Sequence, residues 1–283
     1  MIGWAVRHAS LLLLRCGLVG LVSGVAPLPE ARAIEALPAS CQILEVSGQP
    51  QISPAAIDFL ERCLSRFPPI SSPESERQRI IAAAQKKAVC VSHRSPIAIL
   101  TGGPPGAGKS TGLRTHAPVA LAPGTLRIDA DALRAQLPAY RGWNADLTQA
   151  ESGVLVDRLL AAIGRPCRFD LLYDGTMSRA DRYRRLIPEL RAMGYRVFLL
   201  HVSVPESLSR SRVLERYQAM GRYVSRAAIG RYFATGPATF AVLAGWADGY
   251  LQVDGLTGRV LQQGGEPFPS EPQPFPPGTA PPR

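Results

Sequence analysis

Residues 102–111 read GGPPGAGKST, and within them Gly103, Gly108, Lys109 and Ser110 satisfy the spacing G-x-x-x-x-G-K-[ST] without a gap. This pattern makes a phosphate cradle. Gly103, Gly106 and Gly108 let backbone N–H groups turn inward onto phosphate oxygens, Lys109 would span the β- and γ-phosphates, and the Ser110 hydroxyl would ligate Mg²⁺. The binding segment expected for a nucleoside triphosphate therefore runs through Gly103, Pro104, Pro105, Gly106, Ala107, Gly108, Lys109, Ser110 and Thr111. The alternative, a glycine-rich turn that matches by chance, is opposed by its flanks. Residues 97–101 form a short apolar strand pattern, and no proline follows until Pro118, so a helix can start at the loop. Lys86, Lys87 and Lys109 are the only lysines among 32 basic residues, so an arginine-biased chain keeps lysine where a slim point charge must enter a loop.

A phosphate loop alone does not choose a reaction; nearby acids must. Residues 127–134 read RIDADALR and end a second strand, placing Asp129 and Asp131 just beyond it. A carboxylate there can take the proton of an attacking hydroxyl. Asp131 has a second reading, as the N-cap of a following helix. Residues 171–177, LLYDGTM, end a third apolar run in Asp174, where an acid would hold Mg²⁺ or its water; a turn with Gly175 is the other role open to it. Farther on, Arg210, Arg212, Arg216, Arg222 and Arg226 lie on a helix and its exit. Most would be solvated, and one or two could fold over the phosphates.

These residues need a sheet. From residue 95 the pattern alternates: strand 97–101, helix 108–116, strand 125–129, helix 148–163, strand 169–173, helix 180–193, strand 196–202 and helix 205–219. Alternation of this kind predicts a doubly covered, parallel α/β sheet of the P-loop NTPase type, with the loop at the carboxyl end of its strand. Residues 34–94 predict a small helical region, a cap or brace, with one start at Ser53-Pro54 and another at Ser72-Pro73-Glu74. The expected division is a signal peptide over 1–33, the helical region over 34–94, the α/β domain over 95–262 and a proline-rich tail over 263–283.

The signal reading rests on Arg7 and His8 ahead of apolar residues, with Ala31-Arg32-Ala33 as a small-x-small cleavage pattern. It implies export to the periplasm or beyond; a wrongly assigned start would instead mean the cytoplasm. No later window resembles a membrane span. Export would leave Cys41, Cys63, Cys90 and Cys167, for which we expect a bridge in the N-terminal region; small buried thiols are the alternative. The four histidines and the cysteines lack metal-site spacing. With 283 residues, 46% hydrophobic and 19% charged, the chain can build a core, and its net charge of +10 suits a polyanion such as nucleic acid no better than it suits arginine bias.

Taken in order, GGPPGAGKST, RIDADALRAQLPAY, YDGTMSRADRYRRLIPELRAMGY and VPESLSRSRVLERYQAMGRYVS resemble the zeta toxin family of P-loop kinases over about residues 95–235. That resemblance implies transfer of the γ-phosphate of ATP to the 3′-hydroxyl of UDP-N-acetylglucosamine. It implies Lys109 and Ser110 at ATP and Mg²⁺, Asp131 as base, Glu151 and Thr176 at the sugar nucleotide, and Arg216 and Arg222 at the triphosphate. Asp129, Arg134 and Asp174 join the expected substrate-binding set, and an antitoxin or immunity protein becomes a candidate partner. The sequence departs from the family at Gln136-Leu137-Pro138, where His-Pro is frequent, and at Asp174, where better-known toxins carry glutamate. Asp131 and Arg134 also form the D-x-x-R of polynucleotide 5′-hydroxyl kinases, and an exported, inactive nucleotide-binding module is a third reading.

Overall fold

A computed structural model describes residues 45–86, 88–90, 95–163 and 168–269, all of them within the unit Ala33–Arg283. The expected signal peptide and most of the proline-rich tail lie outside the described residues.

The centre of the sheet is β3 (Ile97–Gly102), whose sequence IAILTG is buried at every position. A strand apolar on both faces demands a layer on each side. Around it the six-stranded sheet runs β4 (Leu126–Asp129), β5 (Leu171–Asp174), β3, β6 (Arg196–Ser203), β7 (Gly249–Asp254), β8 (Val260–Gly265). All neighbours are parallel except β7 and β8. The strand period of two divides the side chains between two cores. Ala98, Leu100, Leu126, Ile128, Leu171, Val197 and Leu199 pack with α5 (Gln149–Ala161), α6 (Ala180–Ala192) and α8 (Arg226–Ala244). Ile97, Ile99, Leu172, Phe198 and Leu200 face Leu113 of α3 (Lys109–His116) and the 3₁₀ turn Pro118–Leu121. The expected α/β P-loop architecture is thus present, in a sheet that is mostly rather than wholly parallel.

At the carboxyl-terminal side of the sheet, α8, β7 and β8 escaped the sequence pattern. Pro237 and two glycines interrupt the helical signal of α8, and β8 reads VLQQGG along an exposed edge, with no apolar alternation to mark it. The sheet also continues past residue 263, where the tail was expected to begin. Phe268 packs edge-on to Phe198 at 5.4 Å and Glu266 pairs with Arg196.

The N-terminal helices are folded into this core. Ser53 caps α1 (Pro54–Leu64) by accepting from Ala56 N at 3.3 Å, with proline in the first turn as the sequence implies. Ile57, Leu60 and Leu64 pack on Leu147, Tyr217 and Tyr223, the last two from α7 (Glu206–Met220) and its exit. In α2 (Glu74–Gln85) the fully buried Ile80 belongs to the same cluster as Leu126 and Leu155. A short hairpin, β1 (Glu45–Val46) with β2 (Gln49–Pro50), precedes them. Cys63 and Cys90 are each disulfide-bonded, so neither is the free buried thiol of the alternative reading. No helix among the described residues is long and apolar enough to cross a membrane.

If α2 is part of the core, Ile80→Ala should lower stability by about 2–5 kcal/mol, the cost of a buried isoleucine cavity. Urea unfolding measures it; a loss below about 1 kcal/mol would mean that α2 is only a surface attachment.

Candidate active site

The carboxyl ends of the parallel strands carry the chemistry. The phosphate loop leaves β3 at Gly102 with positive φ at Gly103 (128°), Gly106 (74°) and Gly108 (90°), and α3 begins at Lys109. Each glycine is there for backbone geometry, and Gly103 also for space: a Cβ on it would lie 2.3 Å from Val202 O. Gly103 N donates to Thr176 O at 3.2 Å, tying the loop to the segment after β5. Lys109 Nζ lies 3.3 Å from Gly103 O and 3.5 Å from Pro104 O, folded over the cradle that phosphates would fill. Ser110 and Thr111 are exposed at its rim.

Helix α7 closes one side. Ser209 Oγ donates to Pro105 O at 2.8 Å and Arg212 Nη1 to Gly106 O at 3.0 Å. The turn between β7 and β8 closes another, where a Cβ on Gly255 would meet Ala107 O at 2.2 Å. Sequence reasoning missed Ser209 and Gly255, and placed Arg212 only within an arginine-rich helix.

Opposite the loop stand the acids. Asp129 and Asp174 are register partners on β4 and β5. Asp129, rather than Asp131, is the N-cap of α4 (Ala130–Arg134), accepting from Asp131 N at 2.8 Å. This corrects the helix-cap reading of Asp131: the residue that still has extended backbone is Asp129, and Asp131 is already helical. Burial, then the Asp174 and Asp131 carboxylates, pushes the Asp129 carboxyl above its ordinary value. Asp174 Oδ1 accepts from Thr101 Oγ1 at 2.6 Å, and Thr101 in turn accepts from Gly175 N at 3.1 Å. A hard divalent cation fits here, since the donors are the Ser110 hydroxyl and carboxylate oxygens whose mutual repulsion it would relieve. No cluster of three or more His, Cys, Asp or Glu side chains among the described residues could hold a metal by itself. Triphosphate oxygens and waters would supply the remaining ligands.

Asp131 projects at the lip with its side chain 44% exposed. Arg134 Nη1 donates to its Oδ1 at 2.9 Å, and Arg222 pairs with its Oδ2. Arg216 is half-buried nearby; burial and then the Arg222 charge lower its guanidinium, and Asp131 opposes that shift. Asp131, Arg216 and Arg222 are therefore gathered as the sequence suggests.

Two expected substrate contacts are placed differently. Arg134 is buried behind Asp131, where Gln149 Oε1 (2.6 Å) and Ser152 Oγ (3.2 Å) hold it, while its Nε lacks a partner. It orients the acid. Glu151, only 2% exposed, accepts both Nε and Nη2 of Arg77 on α2 at 2.8 Å, so its carboxylate is engaged by the protein itself. The sequence gives no sign of this pairing, because Arg77 lies 74 residues away on α2 and reaches Glu151 only through packing of α2 on α5. Thr176 offers its carbonyl to Gly103 and its hydroxyl to Ser178 Oγ at 2.8 Å.

The zeta toxin family model matches residues 81–254, more than half of the chain. The chain belongs to the zeta toxin family. It is 30% identical over 136 residues to Toxin PezT of Streptococcus pneumoniae, a stretch that is 46% of this chain and 53% of that toxin. The chain thus spans about half the length of the curated relative it matches. Its structure is similar to that of the PezAT chromosomal toxin–antitoxin system of the same species (TM-score 0.54, 22% identity, 68% of this chain, 81% of the other). It is equally similar to the AvrRxo1-ORF1:-ORF2 complex with ATP (TM-score 0.54, 14% identity, 74% and 70% covered). At these identities the structural likenesses establish the fold.

Within this zeta toxin fold, His201 is the buried polar residue among the apolar interior positions of the strand RVFLLHVS. It lies beside Gly102 in register, with Tyr232 Oη 2.9 Å from Nε2 and Ser203 Oγ 3.2 Å from Nδ1. Burial, then the Lys109 charge, lowers it to about 4 from 6.5. The unfolded chain therefore binds a proton in that interval which the folded chain does not, so stability should fall as pH drops from about 6.5 towards 4. His201→Gln should remove a contribution on the order of 3 kcal/mol to that fall. Melting temperatures across pH 4–8 for both proteins test this; parallel curves would mean that His201 is not buried in the neutral form.

Proposed function

We propose that this protein is an ATP-dependent phosphotransferase that moves the γ-phosphoryl group onto a hydroxyl of a small molecule, and that the acceptor is a UDP-activated amino sugar, UDP-N-acetylglucosamine. The observation that carries the reading is the placement of Asp131 beside Arg216 and Arg222, just beyond the carboxyl end of β4. Membership of the zeta toxin family supports the acceptor class.

In this mechanism the amides of Gly106, Gly108 and Lys109 bind the β-phosphate and Lys109 Nζ swings from the loop carbonyls onto the β- and γ-oxygens. Ser110 and Asp174 would hold Mg²⁺, which would supply neutralising charge for the transferring group. Asp131 Oδ2 takes the acceptor's hydroxyl proton once Arg222 moves to the phosphates, and Arg134 keeps the carboxylate turned towards the acceptor. Arg216 and Arg222 offset charge on the equatorial oxygens, and neither needs to cross the site to do so.

The PezAT and AvrRxo1-ORF1:-ORF2 likenesses support a protein partner of antitoxin or immunity type. The disulfides at Cys63 and Cys90 support an exported protein, since such bonds persist in oxidising compartments. The polynucleotide kinase reading keeps the D-x-x-R pair, but Arg134 is buried here and unavailable to a strand.

Incubation with radiolabelled ATP and either UDP-N-acetylglucosamine or a 5′-hydroxyl oligonucleotide, resolved by thin-layer chromatography, tests the acceptor; label on the oligonucleotide alone would overturn it. Lys109→Ala should abolish turnover and weaken ATP binding, because no other lysine lies in the described site. Asp131→Asn should lower kcat by about 10²–10⁴ with ATP affinity nearly unchanged, as loss of a general base does. If Asp129→Asn gives that pattern and Asp131→Asn does not, the raised carboxyl of Asp129 is the base.

A further inference from the structure

Arg222 touches Asp131 from the five-residue connection 221–225 between α7 and α8, a segment with no secondary structure of its own. Its position has to be imposed from outside. Part of the restraint is backbone: Gly221 takes φ 67°, and a Cβ on Gly142 would lie 2.5 Å from Gly221 O, so two turns press together without side chains between them. The rest comes from α1. Tyr223, 2% exposed and edge-on to Tyr217 at 5.1 Å, donates its hydroxyl to Glu61 Oε1 at 2.5 Å. Arg226 donates its backbone N–H to the same oxygen at 2.8 Å, and its Nε and Nη2 to Oε2 at 2.9 and 2.7 Å. Asp58 Oδ1 accepts from Arg226 Nη2 at 2.5 Å. One carboxylate on α1 therefore takes four donors from two residues that follow Arg222 closely in the chain.

We propose that Glu61 is a positioning residue for phosphoryl transfer: by anchoring Tyr223 and Arg226 it sets where the Arg222 guanidinium stands relative to Asp131. The inference rests on the assignment of Arg222 and Asp131 to the transfer site. A plain surface ion pair would not account for the arrangement. Arg226 and Asp58 are largely exposed and worth little on their own, whereas Glu61 is three-quarters covered and each of its oxygens is doubly used. Burial alone would raise the Glu61 carboxyl, yet hydrogen bonds from Arg226 and Tyr223 outweigh it and hold the group below its ordinary value, as an anion in place. The influence of α1 on the site passes through the connection.

Hydrogen exchange with mass spectrometry tests this without relying on turnover. Wild type, Glu61→Gln, Arg222→Ala and the double variant are compared at peptides 219–226 and 129–137. Peptide 219–226 reports the direct contact, and 129–137, which carries Asp131, reports the site. Glu61→Gln should speed exchange at 129–137 by about tenfold, and should add nothing once Arg222 is alanine. Tyr223→Phe, which keeps the ring and removes one donor, should give a smaller change at the same peptide and serves if Glu61→Gln folds poorly. Unchanged exchange at 129–137 in both variants, or an equal effect of Glu61→Gln with and without Arg222, overturns the proposal. In a phosphotransfer assay Glu61→Gln should lower kcat with KM for ATP preserved; a wild type without turnover would count against the assigned function, and the exchange coupling would still decide the role of Glu61.

Discussion

Backbone against backbone is the contact on which this site depends. A phosphate loop must turn its amides inward, so it has no hydrogen-bond ladder to hold it and must be pressed into shape by its neighbours. Here Gly103 lies so close to Val202 of β6 that a side chain could not fit, and Gly255 approaches Ala107 as closely from the β7–β8 turn. Ser209 and Arg212 of α7 take up the Pro105 and Gly106 carbonyls, which would otherwise point into a cation-poor rim. These contacts require β3 between β5 and β6, and they explain why the apolar parallel core extends to both faces of the sheet. The unpredicted pair β7 and β8 belongs to the same requirement, since its turn forms one wall of the loop.

Charge follows from that geometry. Three strand ends bring Asp129, Asp174 and the loop to one line, and burial without a compensating cation raises Asp129. The positive groups satisfy themselves on the protein: Lys109 on loop carbonyls, Arg134 and Arg222 on Asp131. The contacts of Lys109 and Arg222 can be exchanged for phosphate oxygens, whereas Arg134 is buried behind Asp131 and stays with it. The pairing of Arg222 with Asp131 has a second effect, for it occupies one oxygen of the acid, and a competing anion could draw the guanidinium away.

The parts of this arrangement that were legible in the sequence are those written in local patterns. GxxxxGK[ST] between an apolar strand and a proline-free helix located the loop, and the acids ending strands two and three fell where parallel topology puts ligands. Asp129 and Asp131, two apart, could not be ordered by alternation alone; helix capping, which depends on where the backbone leaves the strand, separated them. The ion pair of Glu151 could not be read from sequence because its partner, Arg77, is 74 residues away and joined only by packing of α2 on α5. The same holds for Glu61, whose partners Tyr223 and Arg226 are 162 and 165 residues distant. Helix α8, broken by proline and glycine, and β8, polar on an exposed edge, lacked the periodicity that marks an element and were specified by the neighbours they complete.

The N-terminal helices join two demands that otherwise conflict. ATP chemistry belongs to a cytoplasm, while Cys63 and Cys90 in disulfides suit an oxidising compartment. Cys63 lies on α1, two residues from Glu61, with its side chain buried on the packed side of the helix. Helix α2 contributes Ile80 to the main core and Arg77 to Glu151, so the segment is held to the α/β domain by apolar packing and ion pairs as well as carrying a disulfide cysteine. Apolar packing survives a change of compartment, and so do partly buried ion pairs. A protein built in this way holds α1 against the connection that carries Arg222 by packing and ion pairs, without relying on the disulfide alone.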